Sequence, residues 1–363
     1  MSAASATPTP TPAPAPTPTP PPSDQSPPQP SPQPSAPSHR LRIAAVVLLV
    51  PVLAALALWA FAWPAARTAP HDLPLGVAGP AAATAQVQKQ LEAHEGAFEI
   101  HRYADEAAAR DAIEDRTVYG AVVVTGRGPT LLTASAASPV VAQSLQQAVA
   151  QQSGADRVRT VDVVPASADD PRGSVLTSSV LPMTLAGIAA GAAVTLLGLR
   201  GRRAIAALTG AAVVVGTVAA LVSDSWLGAF TGNWWSEAAA LTLATLAVGA
   251  AVAGLAALIG TPGVGLGAFM MMMLGNPFSG ASSAPEMLPA PVGAIGQWLP
   301  PGAGASLLRS VSFFDGAAAT GPAMTLAWWS VLGLGAVLLG SALKRRKPAT
   351  APARPAREPA PTN

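Results

Sequence analysis

Few residues in this 363-residue chain have side chains suited to covalent, metal or acid–base chemistry. There is no cysteine, which removes disulfides, thiolate metal sites and thiol nucleophiles. The four histidines are His39, His71, His94 and His101. His94, Glu95 and His101 are of metal-ligand type, but they straddle an expected helix end and the following strand, and a solvated surface is the plainer reading. Gly280-Ala281-Ser282-Ser283-Ala284 approaches a GxSxG nucleophile turn. It lacks the final glycine and the strand–turn–helix setting that exposes such a serine. The three lysines, Lys89, Lys344 and Lys347, follow Gln88, Leu343 and Arg346. None follows the glycines of a phosphate-cradling loop, so ATP binding by that device is excluded. No catalytic residue, cofactor or metal site is therefore expected, nor enzymatic activity. No basic–aromatic patch points to nucleic acid.

Charge is scarce where coupled transport would need it. Only 11% of residues are charged, against about 25% in ordinary soluble domains. No ionisable residue lies between Ala238 and Pro285. Proton- and sodium-coupled carriers bury such groups at mid-membrane, and charged-ring filters need them too; both devices are disfavoured.

The elements behind this pattern are apolar runs long enough to cross the ~30 Å hydrocarbon core of a bilayer. Ile43–Trp63 is the first, expected to be a retained anchor rather than a cleaved signal because it is long and follows a 42-residue tail. Pro51 is expected to kink it, and Trp59 and Trp63 suit a membrane interface. Further runs cover Leu176–Leu199, Ala204–Val222, Ala238–Ile259, Val264–Phe278 and Met324–Leu343. Gly187 and Gly191 have the spacing that lets helices approach closely. Residues 1–38 form a Pro/Thr/Ala/Ser/Gln tract, expected to be a disordered tail, and 344–363 a short polar tail. The expected fold class is a polytopic α-helical membrane protein of six spans with an inserted α/β extracellular domain.

Residues 64–174 make up that domain and hold thirteen of the 19 acidic residues, so the segment is read as water-facing. Strands are expected at 73–79, 98–103, 119–125, 130–134 and 158–164. Helices are expected at 82–94, at 105–116 with Asp105 as N-cap, and from Pro139, capped by Ser138 and stopped at Gly154. Gly126 to Pro129 is an expected turn. The order β-α-β-α-β-β-α-β implies a small mixed sheet with helices packed on it.

Basic residues mark cytoplasmic flanks. Three clusters qualify: Arg40/Arg42, Arg200/Arg202/Arg203 and Lys344 to Lys347. With six spans (helices 2–6 lying within 176–343) all three fall on one side, so both termini are expected in the cytoplasm and 64–174 outside. The loops expected outside at 223–237 and 279–323 hold one basic residue, Arg309. Residues 276–303 are too apolar for a free loop and too broken by proline for a span. A re-entrant pair of short helices fits both facts, with a loop on the headgroups as the alternative. Glu286 and Arg309 are expected either to pair or both to sit among headgroups.

Two stretches resemble a known family. Asp105-Glu106-Ala107-Ala108-Ala109-Arg110-Asp111-Ala112-Ile113 followed by Val118 to Val124 is similar to the helix-then-strand segment of the extracellular domain in ABC-2-type exporter membrane subunits. Asn276-Pro277-Phe278-Ser279-Gly280 through Pro285, Leu288-Pro289 to Gln297, and Leu299-Pro300-Pro301-Gly302 resembles their proline-rich outer region before the last span. The layout is also similar to the related phage-infection-protein (Pip/YhgE-like) membrane family. The resemblance implies a permease subunit in a bacterial plasma membrane, working as a homodimer with a separate ATPase. It implies that the ATPase faces Arg200, Arg202 and Arg203. It implies an outer re-entrant gate at Asn276, Pro277, Pro285, Glu286, Pro289, Gln297, Pro300, Pro301 and Gly302. The alternative is a non-transporting envelope protein whose external domain binds a cell-wall, secretion or phage partner.

Overall fold

The computed structural model describes residues 39–126, 128–153 and 158–346. The tail expected at 1–38, the helix stop at Gly154, Lys347 and the rest of the C-terminal tail lie outside the described residues. By internal contacts the chain divides within its first helix, after Leu53, and residues from Ala54 onward form the second unit. That first helix, α1 (His39–Ala66), runs without a break through Pro51, and its apolar side chains are exposed along most of its length.

The sheet region follows. Its elements are β1 (Leu73–Ala78), α2 (Ala81–Glu92), β2 (Phe98–Tyr103), α3 (Glu106–Glu114), β3 (Gly120–Thr125), β4 (Gly128–Thr133), α4 (Pro139–Ser153) and β5 (Arg159–Asp162). The expected element order is found. Strand order is β2-β1-β3-β4-β5, with only the β3–β4 hairpin antiparallel. Thr125 pairs with Gly128, so Gly128 and Pro129 belong to β4 rather than to the expected turn. The Asp105 carboxylate accepts from the Ala108 amide at 3.0 Å, and the Ser138 hydroxyl from the Val141 amide at 3.2 Å. Each cap satisfies a helix-start donor that would otherwise be unpaired.

The long helices are α5 (Ser174–Leu196), α6 (Arg202–Ala220, extended by a π turn Leu221–Trp226), α7 (Trp234–Ile259) and α11 (Thr320–Arg346). With α1 they are, among the described residues, the five helices long and apolar enough to cross a membrane. The fifth expected span differs. Its helix, α8 (Pro262–Phe269), has eight α-helical residues continued by six in π geometry, Met270–Gly275. Such a run reaches about 21 Å, short of the ~30 Å a crossing needs. Gly275 ends it against Pro301, whose ring a side chain at 275 would strike.

α7 is the hub and packs against α5, α6, α8, α11 and α10 (Pro300–Phe313). The expected glycine contact is realised on α5: a Cβ on Gly187 would lie 2.7 Å from the Val248 Cβ, and one on Gly191 2.7 Å from the Gly249 carbonyl oxygen. Between the π turn and α10 the chain forms a 3-10 turn Pro285–Met287 and the short α9 (Val292–Gln297). It is tied to α11 by Trp329, whose indole N–H donates to the Trp298 carbonyl at 2.8 Å. Trp329 sits about 14 Å along α11 from Thr320 at ~1.5 Å per residue. The chain then returns along α10 until Phe313 meets Phe230 edge-on at 6.1 Å.

The sheet does not close its own core. One apolar cluster joins Ala109, Ile113, Val123 and Leu132 to Phe314, in the α10–α11 connection. Another joins Leu73, Leu75, Leu131 and Val141 to Ala284 and Met287. Residues from the last third of the chain thus complete the burial on which the sheet's stability depends.

Candidate site at the junction of sheet and helices

The loop after α3 makes the most specific junction. Arg116 occupies the left-handed region, φ 60°. It is the residue after the α3 cap: its N–H donates to Ile113 O at 3.0 Å, and the next, Thr117, to Ala112 O at 2.8 Å. These two bonds form a Schellman ending, where glycine is the usual occupant. An arginine held there carries backbone strain, and its side chain has a defined use. Its Nη1 donates to the Ser306 carbonyl at 3.1 Å and to the Ser310 hydroxyl, and the guanidinium lies 5.3 Å from the Phe314 ring centroid. Burial lowers the Arg116 pKa, opposed by Tyr119 and Glu286 nearby.

Three residues on, the Tyr119 hydroxyl donates to Glu286 Oε2 at 2.8 Å. Burial, followed by the Glu286 charge and that hydrogen bond, raises the Tyr119 pKa strongly. The phenol is therefore a fixed donor at neutral pH. Backbone bonds complete the clamp: Ala69 N–H to Met287 O at 3.0 Å and His71 N–H to Glu286 O at 2.8 Å.

The expected Glu286–Arg309 alternatives both fail. Arg309 is 4% exposed and donates to the Ala281 carbonyl at 3.0 Å, while Glu286 is engaged by Tyr119. No ion pair joins the two among the described residues. Arg309 lies inside the protein because its carbonyl partner does.

The other expected gate residues cluster in the same segment. Gln297 is held at both ends, its Nε2 donating to Ser279 O at 2.9 Å and its Oε1 accepting from the Ser306 hydroxyl at 2.6 Å. The Asn276 carbonyl accepts from the Ser279 hydroxyl at 2.7 Å. Pro285 opens the 3-10 turn, Pro289 is buried with its carbonyl accepting from Val292 at 2.8 Å, and Pro300 and Pro301 start α10, where a missing amide hydrogen costs little. Pro277 is half-buried. Side chains at Gly293, Gly296 and Gly302 would strike the carbonyls of Pro285, Phe278 and Gly296. These glycines let backbone pack on backbone.

The site residues that sequence reasoning missed are Arg116, Tyr119, Ser306 and Ser310. A basic residue just past a helix end was the one available signal. At α7's start, Glu237 is fully buried, and neither carboxylate oxygen has a hydrogen-bond partner in proper geometry among the described residues, although Gly232 and Ser312 flank it.

The histidines expected to be surface residues are set apart. His94 Nδ1 lies 3.1 Å from Gln90 O, and His101 Nε2 3.4 Å from Glu99 Oε1. Arg200, Arg202 and Arg203 are exposed around the α5–α6 turn. The Gly201 amide there donates to Ser341 Oγ on α11 at 2.9 Å, so this turn lies beside the C-terminal end of α11.

A cavity of about 960 Å³ opens between the 116–119 loop, the 285–298 segment and the N-terminal half of α11.

Residues 42–161, about one third of the chain, match the family model described as ABC-2 family transporter protein. Comparison with curated proteins and with solved structures gave no match. The family match and the five apolar helices among the described residues together support a multi-pass membrane protein with a permease role in general.

Proposed function

We propose that the chain is the membrane-spanning permease subunit of an ABC-2-type exporter, driven by a separate ATPase. The observation that carries this reading is the ABC-2 match across α1 and the sheet region. In the proposed arrangement two copies form a dimer in the plasma membrane with termini in the cytoplasm, and α8 and the 276–299 segment that follows it together make the sixth crossing that this placement requires. The sheet region lies outside, and the ATPase docks near Arg200, Arg202 and Arg203. Residues 276–303 form an outer re-entrant gate, to which Tyr119 ties the sheet at Glu286, while Arg116 ties it to Ser306 and Ser310 just beyond. The Trp298–Trp329 bond supports that reading, since it lies well along α11. Closure of the ATPase moves the helices between two states, and nucleotide shifts that balance only through its differential affinity for them. Spans without charge suit an apolar or amphipathic cargo.

The test is purification of the full chain from its native membrane in mild detergent. A co-purifying P-loop ATPase is expected; its repeated absence from a preparation that functions without ATP would overturn the proposal. One observation favours a second reading, a non-transporting envelope protein whose outer domain binds a partner. The turns at Leu197–Gly201 and Gly260–Thr261 are short and give an ATPase little to grip. Preserved export with a fully blocked sheet surface would dismiss that reading.

A further inference from the structure

We infer that the 960 Å³ cavity is a binding site for one zwitterionic amphiphile, with its head at the 71–72 and 116–119 rim and its chain against the tryptophans of α11. The inference rests on the membrane placement proposed above but not on the ATPase.

Three observations carry it. The first is polarity along the cavity. Its sheet-side rim holds His71, Asp72, Arg116 and Glu286, while its helix-side wall holds Trp298, Met324 and Trp328, whose large apolar side chains are exposed. The second is that the polar atoms on the α9 and α10 side already satisfy one another. Ser306 bonds Gln297, Gln297 bonds the Ser279 carbonyl, and the Trp329 indole bonds the Trp298 carbonyl. A soluble polar ligand would find few partners there, since buried polar groups need hydrogen bonds. The third is the chemistry left at the rim. Arg116 uses Nη1 and Glu286 uses Oε2 in the junction. Their remaining nitrogens and oxygen have no hydrogen-bond partner among the described residues, so the rim offers a cationic donor and an anionic acceptor together. A head group with a phosphate and an ammonium matches both. The volume lies at the upper end of ordinary ligand sites, ~300–1,000 Å³, and suits one chain with its head rather than a bilayer patch.

The test uses the full chain in nanodiscs and a lysophosphatidylethanolamine probe with a diazirine at the chain end. Adducts on the Trp298 and Met324–Trp329 peptides are expected. Gly321→Leu fills the cavity from α11, and Gly335→Leu is its control. A Cβ added at either position meets no atom within 4 Å, and of the two only Gly321 lines the cavity. Labelling should fall by about tenfold in Gly321→Leu, because added volume in an occupied space excludes the chain, and should be unchanged in Gly335→Leu. Ala294→Phe fills the opposite wall and gives the same readout should Gly321→Leu fail to fold. Adducts from the bilayer-borne probe alone identify membrane lipid as the occupant; adducts also from a soluble short-chain form identify free amphiphile. Equal labelling in filled and control variants, or adducts spread evenly over exposed α1, would overturn the inference. Lack of a co-purifying ATPase would leave this readout intact, so the two proposals fail separately.

Discussion

At the scale of single residues, Arg116 and Asp170 do what their types alone do not announce. Arg116→Ala removes two hydrogen bonds and a ring contact while leaving a left-handed alanine. A loss of about 2–3 kcal/mol is expected in denaturant unfolding of the detergent-solubilised protein. Arg116→Gly should recover about 1 kcal/mol of that, since glycine adopts the conformation freely; equal losses would contradict the strain. Asp170 is buried at the start of α5, accepting from the Ser174 and Val175 amides at 2.9 and 2.7 Å and from the Ser174 hydroxyl at 2.7 Å. Burial pushes its pKa up, but these donors outweigh burial and hold it below the ordinary value of 3.8. A depressed folded pKa contributes stability that is complete above the unfolded value and is lost as pH falls through the folded one. Asp170→Asn should therefore flatten the acid limb of a melting-temperature profile and cost about 1 kcal/mol at neutral pH. The Asp105 and Ser138 caps were legible because a cap and its amide lie three residues apart. The Arg116 and Tyr119 partners were not, since they lie 190 and 167 residues away.

At the scale of elements, glycine placement decides which helices can meet. Gly191→Leu should separate α5 from α7 and abolish a monodisperse gel-filtration peak, because no rotamer clears the Gly249 carbonyl. Gly296→Ala should be equally damaging, since its methyl would enter the Phe278 carbonyl, whereas Gly265→Ala, with open space around it, should melt as the parent does. Good behaviour of Gly296→Ala would show that the 276–299 backbone does not pack this way. A close helix contact on α5 was readable from the Gly187/Gly191 spacing, but its partner α7 was not. The strands were readable too, from Val-rich runs bounded by turn residues. Their order was not: β1 lies between β2 and β3, and β4 runs parallel to β5, which are long-range choices with no local signal. The α8 helix and its π continuation are shorter than the span expected there, because an apolar run shows composition but not where the chain leaves the helix. Pro277 and the approach of Pro301 to Gly275 end that helix early.

For the whole molecule, the sheet region and the helices share their cores. Phe314, Ala284 and Met287 complete the two sides of the sheet, so movement of the 276–313 segment bears directly on the sheet. Alternating strands and helices suggested a self-sufficient inserted domain, because no hydropathy pattern shows that its apolar face is covered from elsewhere in the chain. The three basic clusters carry the expected orientation, and the Gly201–Ser341 bond brings two of those chain regions together at one end. Orientation is the claim on which gate, cavity and ATPase docking all depend. A chain without cysteine lets it be measured directly. Gln147 on α4 and Arg202 at the start of α6 are both exposed, and each is changed singly to Cys. With a membrane-impermeant maleimide on intact cells, Gln147→Cys is expected to label at once and Arg202→Cys only after permeabilisation. The reverse pattern would contradict the account.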